Sequence, residues 1–276
     1  MRTVNIIHDY DETLYEKFYK QKALDIGVSL HENSVEEIVW DLLIIFHHKT
    51  AGKYFYDRLV FLGGEPSEAF HCKRLMNLCD LVISVRNKSS SYFQVYNDWH
   101  LCKEYFSKES RMNLDELGAM PVEVWRRPKQ VTLINSGITS LPGHVIRNRL
   151  QSNIIERYKS SVVIFGLDLK FKLKSDVLCN SRYSIVIENS TTGRFWTEKW
   201  TDAIMAGCIP IYYGSTLVKE VFPELSSLCF SKGEERQMIE SIGDAVRDTL
   251  QYETLFQGVL VARERIIQQY TIVTLI

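Results

Sequence analysis

The chain has 276 residues, 45% of them hydrophobic and 24% charged, with 33 Lys and Arg against 34 Asp and Glu. That length suits one large domain or two ordinary ones, each able to bury a core, and the composition excludes low-complexity disorder. A formal net charge of -1 gives no footprint for nucleic acid, no run approaches the roughly 18–20 apolar residues of a membrane span, and contact with anionic lipid would need a local basic patch.

Val4 to Ile7 reads as a short strand running into Asp9-Tyr10-Asp11. A D-x-D after a strand can hold a metal–diphosphate. Here it precedes any nucleotide-binding unit, and acids capping the helix-like run Glu12 to Leu24 account for it more simply. The apolar stretch is too short for a secretory signal, and acids follow it. Further strands are expected at Val28 to His31, Asp41 to Phe46, Arg58 to Leu62 and Leu81 to Val85, with polar or helical segments between them, which is an α/β pattern. His47 and His48 lack a third ligand at metal spacing. The six cysteines (Cys72, Cys79, Cys102, Cys179, Cys208, Cys229) form no C-x-x-C pair and sit mostly among apolar neighbours, as buried reduced thiols do.

Residues 58 to 68, R-L-V-F-L-G-G-E-P-S-E, are the informative stretch of the first half. A strand ends in Gly63-Gly64, which lets the backbone turn sharply, and Glu65 is then presented at the strand's carboxyl end. A cleft that raised this carboxyl toward neutrality would make it a general base, and Glu68 is a weaker substitute. The competing reading is a solvated loop acid. Tyr92, Phe93, Tyr96 and Trp99 could stack on sugars or form a satellite of the core. Residues 103 to 120 are charged and helix-like.

Two prolines and a change of composition in Pro121 to Pro128 place a domain boundary between 124 and 125. Gln130 to Asn135 is a strand, and the loop Ser136 to Gly143 leads into a helix from about His144 to Lys159. Arg147 lies in its first turns, where a guanidinium can clamp a diphosphate in two-pronged fashion. Arg149 faces elsewhere and suits a solvated role. Ser161 to Gly166 is the next strand. Asp168, Lys170, Lys172 and Lys174 read as a solvated loop.

Tyr183 to Gly214 holds the chemistry. Tyr183 to Ile187 is a buried strand, and Thr191 to Gly193 a turn. Thr197 can cap a helix whose first turn carries Glu198 and Lys199, Gly207 suits a left-handed helix end, and Ile209 to Tyr213 is a second apolar strand. Ligands of such a unit bind at the strands' carboxyl ends, against a helix N-terminus. Asn189 offers an amide there, Lys199 a cation that an anion would settle, and Glu198 two acceptors for the vicinal hydroxyls of a ribose. Phe195, Trp196 and Trp200 are expected as aromatic walls. For an isolated Glu-Lys pair, first-turn solvation would be the simpler explanation. Beyond it come a strand at Leu228 to Phe230, an amphipathic helix from Glu234 to Leu250, and a mixed helix-like tail from Glu253 to Ile276.

The block E-N-S…F-W-T-E-K…D-A…G…P-I-Y-Y-G closely resembles the donor-binding motif of glycosyltransferase family ten, the α-1,3/4-fucosyltransferases. The resemblance implies an α/β fold of the GT-B type, with two Rossmann-like α/β/α domains facing across a cleft. Residues 1–124 would bind the acceptor and 125–276 the donor. It implies inverting transfer of fucose from GDP-fucose to an oligosaccharide or glycan acceptor, with no metal and no other cofactor. Glu65 matches the family's general base. The spacing S…P-G-H-x-x-R matches bacterial members in which the Arg contacts the donor diphosphate, so Ser136 and Arg147 join Asn189, Phe195, Glu198 and Lys199 as the donor set. Pro66 stands where the family has Asn, and Phe195 where it often has Tyr with a hydroxyl contact. Eukaryotic relatives usually carry an N-terminal membrane helix, which this sequence lacks, so a bacterial or viral type working in the cytoplasm is expected. Two alternatives stay open: an inverting transferase using another nucleotide sugar, and a catalytically inactive nucleotide-sugar-binding protein.

Overall fold

The computed structural model describes residues 1–7, 23–34, 38–46, 55–63, 81–84, 128–135, 137, 139, 142–166, 169, 174–189 and 196–270. The chain divides into two compact units, Met1–Val95 with Gln269–Ile276, and Tyr96–Gln268. The boundary expected at 124/125 lies outside the described residues, as do Asp9, Asp11, His47, His48 and the aromatic stretch 89–99.

The first unit runs β1 (Arg2–Ile7), β2 (Val28–Glu32), β3 (Val39–Trp40), β4 (Leu42–Phe46), β5 (Phe55–Tyr56), β6 (Leu59–Gly63) and β7 (Leu81–Ser84). β3 and β5 form a small parallel pair that the sequence did not suggest. The other strands make one parallel sheet in the order β2-β1-β4-β6-β7, with Val4, Ile6, Ile44 and Val60 buried in it. Asp41 precedes β4 rather than opening it. Its carboxylate accepts from the Thr3 amide and hydroxyl at 2.6 and 2.9 Å, and these bonds hold it below the usual aspartate range.

The second unit runs β8 (Val131–Ile134), α1 (Pro142–Tyr158), β9 (Val162–Phe165), α2 (Lys174–Leu178), β10 (Tyr183–Ile187), α3 (Glu198–Met205), β11 (Ile209–Tyr213), α4 (Leu217–Val221), β12 (Cys229–Phe230), α5 (Glu235–Arg247) and α6 (Tyr252–Gln269). Its sheet is parallel throughout, in the order β12-β11-β10-β8-β9. All five residues of β10 and of β11 are buried, as strands covered on both faces must be. Numbered along the chain, the strands of both sheets read 2-1-3-4-5.

That order decides where a ligand can go. The chain steps one way from β8 to β9 and the other way from β9 through β10 to β11. Right-handed crossovers therefore put α1 on one face of the sheet and α2 and α3 on the other. Between β8 and β10 the direction reverses, so the starts of α1 and α3 flank a gap at the carboxyl ends of those strands.

Local signals fix the flanking helices. Thr197 caps α3, its hydroxyl oxygen accepting from the Lys199 amide at 3.3 Å. The far end closes in a Schellman arrangement: Gly207 has φ of 70°, its amide bonds to Ile204, and that of Cys208 to Ala203. Both features match the sequence reading. α5 ends sooner than expected, because Asp248 adopts a left-handed conformation with φ of 58°. No helix among the described residues is long and apolar enough to cross a membrane.

Candidate functional site

The gap between β8 and β10 is a pocket of about 210 Å³. Its polar lining is His144 and Arg147 from α1, Asn189 from the end of β10, and Glu198, Lys199 and Asp202 from α3, with Lys174 of α2 and Ser184 of β10. Four of the sequence-derived site residues (Arg147, Asn189, Glu198, Lys199) thus share one hollow. Ser136, Phe195 and Glu65 lie outside the described residues.

α1 delivers its side chains by burial periodicity. Gly143, His144, Arg147, Leu150, Gln151 and Ile154 are its buried positions, a single helical stripe. The stripe is apolar where it covers the sheet and polar where it reaches the strand ends. Asn135, buried just after β8, holds the helix in place through bonds to the Asn148 and Gln151 side chains. Gly143 is required at the crossing. A Cβ there would stand 1.6 Å from the Asn189 carbonyl oxygen.

Arg147 is only 4% exposed. Its Nη1 donates to Asn189 Oδ1 at 3.1 Å, while Nε and Nη2 are buried with no hydrogen-bond partner among the described residues. Burial lowers its pKa, and the Glu188 and Glu198 carboxylates oppose that. A guanidinium stays charged, so it stands here with two donors uncommitted. Leaving such donors unmet costs on the order of 1–3 kcal/mol each, more for a charged group.

Lys199 is more engaged than the sequence suggests. Its ammonium lies 3.0 Å from Thr197 Oγ1, 3.3 Å from Glu198 Oε1 and 3.7 Å from Glu188 Oε2. Burial alone would lower its pKa, but Glu198 and Glu188 outweigh that and hold it above the usual range. The helix amides are also partly taken, since Thr197 N–H donates to Glu188 Oε1 at 2.8 Å. The anion-seeking group of the pocket is therefore Arg147, more than the lysine or the helix end.

Glu188 was part of the motif but carried no expected role. It accepts from both the Thr197 amide and the Thr197 hydroxyl, the latter at 2.7 Å, and so ties the end of β10 to the start of α3. Burial raises its pKa against the pull of Lys199. Gly214 makes room for it, because a Cβ there would approach Glu188 Cγ to 2.8 Å.

Two expectations need correction. Lys174 is not a solvated loop lysine: it opens α2, is buried, and pairs with Asp202 Oδ2 at 2.7 Å. Burial pushes the Asp202 carboxyl up to about 7, with the Lys174 ammonium opposing. Nor are Trp196 and Trp200 walls of the pocket. Both are fully buried on Phe222 in the core, with ring centroids 5.4 and 5.5 Å from it, Trp200 because the apolar face of α3 points into the sheet and Trp196 just before the Thr197 cap. Asp202 could have been found from sequence, since it stands one helical turn after Glu198 and shares its face. His144 could not, because its burial depends on how α1 crosses the strand ends. Burial first, then the Arg147 and Lys199 charges, lower its pKa, while a hydrogen bond with the Asn189 side chain opposes them. Arg149 is exposed, as expected.

No protein-family model matches the chain, and no curated protein matches it by sequence. Solved structures do. An α1,3-fucosyltransferase with GDP aligns over 99% of this chain and 92% of its own, at 17% identity and a TM-score of 0.56. An α1,3-fucosyltransferase structure with GDP-fucose covers 98% and 91%, at 18% identity and a TM-score of 0.55. Anabaena HepE in complex with UDP-glucose covers 99% and 97%, at 13% identity and a TM-score of 0.51. At such identities the likeness establishes the fold, a mixed α/β architecture of Rossmann-like parallel sheets resembling GT-B glycosyltransferases.

Proposed function

We propose that this chain is an inverting glycosyltransferase that holds the diphosphate of a nucleotide sugar in the pocket between β8 and β10. The observation that carries the reading is Arg147, a buried cation with two donor nitrogens unmet among the described residues, beside Asn189, Glu198 and Lys199. A diphosphate satisfies those donors in the two-pronged geometry a guanidinium favours. Glu198 then meets the ribose hydroxyls. The pocket takes this part of the donor, being smaller than the roughly 300–1,000 Å³ that encloses a drug-sized ligand.

The donor we favour is GDP-fucose, on the motif of residues 188–214 and the fucosyltransferase neighbours. The acceptor is an oligosaccharide. Glu65, which follows β6 in sequence, takes the proton of the attacking hydroxyl. The C–O bond to the diphosphate breaks as the new glycosidic bond forms on the opposite face. Arg147, Lys199 and Asn189 stabilise the charge gathering on the departing oxygen, the larger electrostatic contribution. Residue types at this site hold the diphosphate without a metal, so turnover persists in EDTA. Ser136 and Phe195 complete the donor site, and the setting is the cytoplasm.

Another nucleotide sugar is the second reading, favoured by the likeness to a protein bound to UDP-glucose. Calorimetry with GDP and with UDP separates the two: tight GDP and weak UDP support the first, and the reverse overturns it. Incubation with GDP-fucose and N-acetyllactosamine then tests turnover. GDP released above background, and lost in Glu65→Gln while GDP binding persists, is the expected result. Binding without release in the unaltered protein would make it a nucleotide-sugar-binding protein.

A further inference from the structure

We propose that His144 is a further ligand of the anion this pocket takes, neutral while the pocket is empty and imidazolium once a diphosphate lies against Arg147. The inference rests on the diphosphate part of the reading above and needs neither fucose nor an acceptor.

Position comes first. His144 sits three residues before Arg147 on the same buried stripe of α1, is 6% exposed, and lines the pocket with Arg147, Asn189 and Lys199. It is hydrogen-bonded to the Asn189 side chain, the same amide whose Oδ1 Arg147 uses. An anion held by Arg147 in this pocket shares its lining with the imidazole.

Charge balance supplies the second argument. The groups around His144 are Arg147 on its own helix, Glu188 and Asn189 at the end of β10, Glu198, Lys199 and Asp202 on α3, and Lys174 on α2. Among the described residues, three cations (Arg147, Lys174, Lys199) thus face three carboxylates (Glu188, Glu198, Asp202), a formally balanced set. A diphosphate brings two or three negative charges into this half-closed space, and burying them uncompensated is costly. A proton is the compensation at hand. Histidine's ordinary value sits near neutrality; burial first, then the Arg147 and Lys199 charges, hold the imidazole below it, and an anion entering between those cations offsets their share and adds an attraction for the proton. The proton comes from solvent, no bond to carbon is involved, and the resulting N–H donates to a phosphate oxygen. When the sugar leaves, the added charge on that oxygen meets a donor already in place.

The test is calorimetry of inorganic pyrophosphate, and separately of GDP, into the intact protein and into His144→Gln. Each titration is run in two buffers of different ionisation enthalpy at about pH 7.5, where proton exchange appears as a difference in heat. The expected result is on the order of one proton more taken up by the unaltered protein than by the variant. Its gain in affinity from pH 8 to pH 6 should also be on the order of ten-fold larger. Equal uptake in both proteins would overturn the proposal, with the proton then landing on Glu188, Glu198 or Asp202. Uptake with pyrophosphate but no binding of GDP leaves His144 in place and removes the nucleotide reading. Failure of both anions to bind removes both. Should His144→Gln not fold, nitrogen-15 spectra of histidine-labelled protein give the answer. One imidazole should pass from neutral to protonated on adding pyrophosphate, and no such change would overturn the proposal.

Discussion

Arg147 donates from Nη1 to the side-chain oxygen of Asn189 at 3.1 Å, and through that bond the early turns of α1 grip the end of β10. The rest of the guanidinium is buried with its donors unmet among the described residues, a cost that the proposed anion would offset. Replacing it by Met removes the unmet donors but also the bond to Asn189 and a charge facing Glu188 and Glu198, so thermal stability should change by no more than about 1 kcal/mol either way. Affinity for GDP or pyrophosphate should fall on the order of 10- to 100-fold, the worth of a charge-assisted contact. Paired melting curves and calorimetry check this. A large drop in stability would mean that the arginine is structural.

Gly143→Ala pits two effects against each other. Helix propensity favours the alanine by about 1 kcal/mol. The added Cβ, however, would meet the Asn189 carbonyl oxygen at 1.6 Å and its carbon at 2.0 Å, and both are backbone atoms at a strand end. The clash wins. We expect a loss of about 3 kcal/mol or more by denaturant titration, and weakened anion binding because Arg147 and Asn189 are forced apart.

How far the sequence carries can be judged from these two residues. Arg147 and Gly143 both stand in a motif, and the strands of the second unit and its helices α1, α3 and α5 lie within a few residues of their expected ends, whereas α2 and α4 were not foreseen. The strand pattern was legible because parallel strands buried on both faces are continuous apolar runs. The motif likewise brought Asn189, Glu198 and Lys199 into one pocket with Arg147. Two kinds of information were missing. Burial of a polar side chain is set by what crosses above it, so Lys174 looked solvated and His144 looked ordinary. Competition for a donor is also invisible in sequence, so the helix amides and Lys199 looked uncommitted when Glu188 already engages them.

Thr197 links that competition to stability. It caps α3 and gives both its amide and its hydroxyl to Glu188. Thr197→Val should cost about 1–2 kcal/mol, the cap together with a buried carboxylate left short of one donor, whereas Thr197→Ser should be nearly silent. Urea unfolding of the two variants distinguishes them. A loss in Thr197→Ser with none in Thr197→Val would place the contribution in the methyl group instead.

Lys174 and Asp202 form a buried pair, so removing one partner should harm more than removing both. Asp202→Ala is expected to cost about 3–5 kcal/mol and Lys174→Met/Asp202→Ala markedly less. Asp202 also sets a pH dependence. Its carboxyl is raised from 3.8 to about 7 in the folded chain, which therefore keeps a proton that the unfolded chain has lost. This stabilisation is complete below pH 3.8 and disappears as pH rises through about 7. Melting temperatures across that range should fall more steeply with pH in the unaltered protein than in Asp202→Asn. Parallel curves would refute the assignment.

The seat between β8 and β10 owes its existence to a change in the direction of chain winding, not to the side chains that line it. Substitutions at 144, 147, 189 or 199 are therefore expected to change the lining of the pocket without dismantling the sheet that makes it. If the proposed function holds, a handful of point changes would turn the same framework from one leaving group to another, and a loss of that chemistry need not announce itself as a loss of folding.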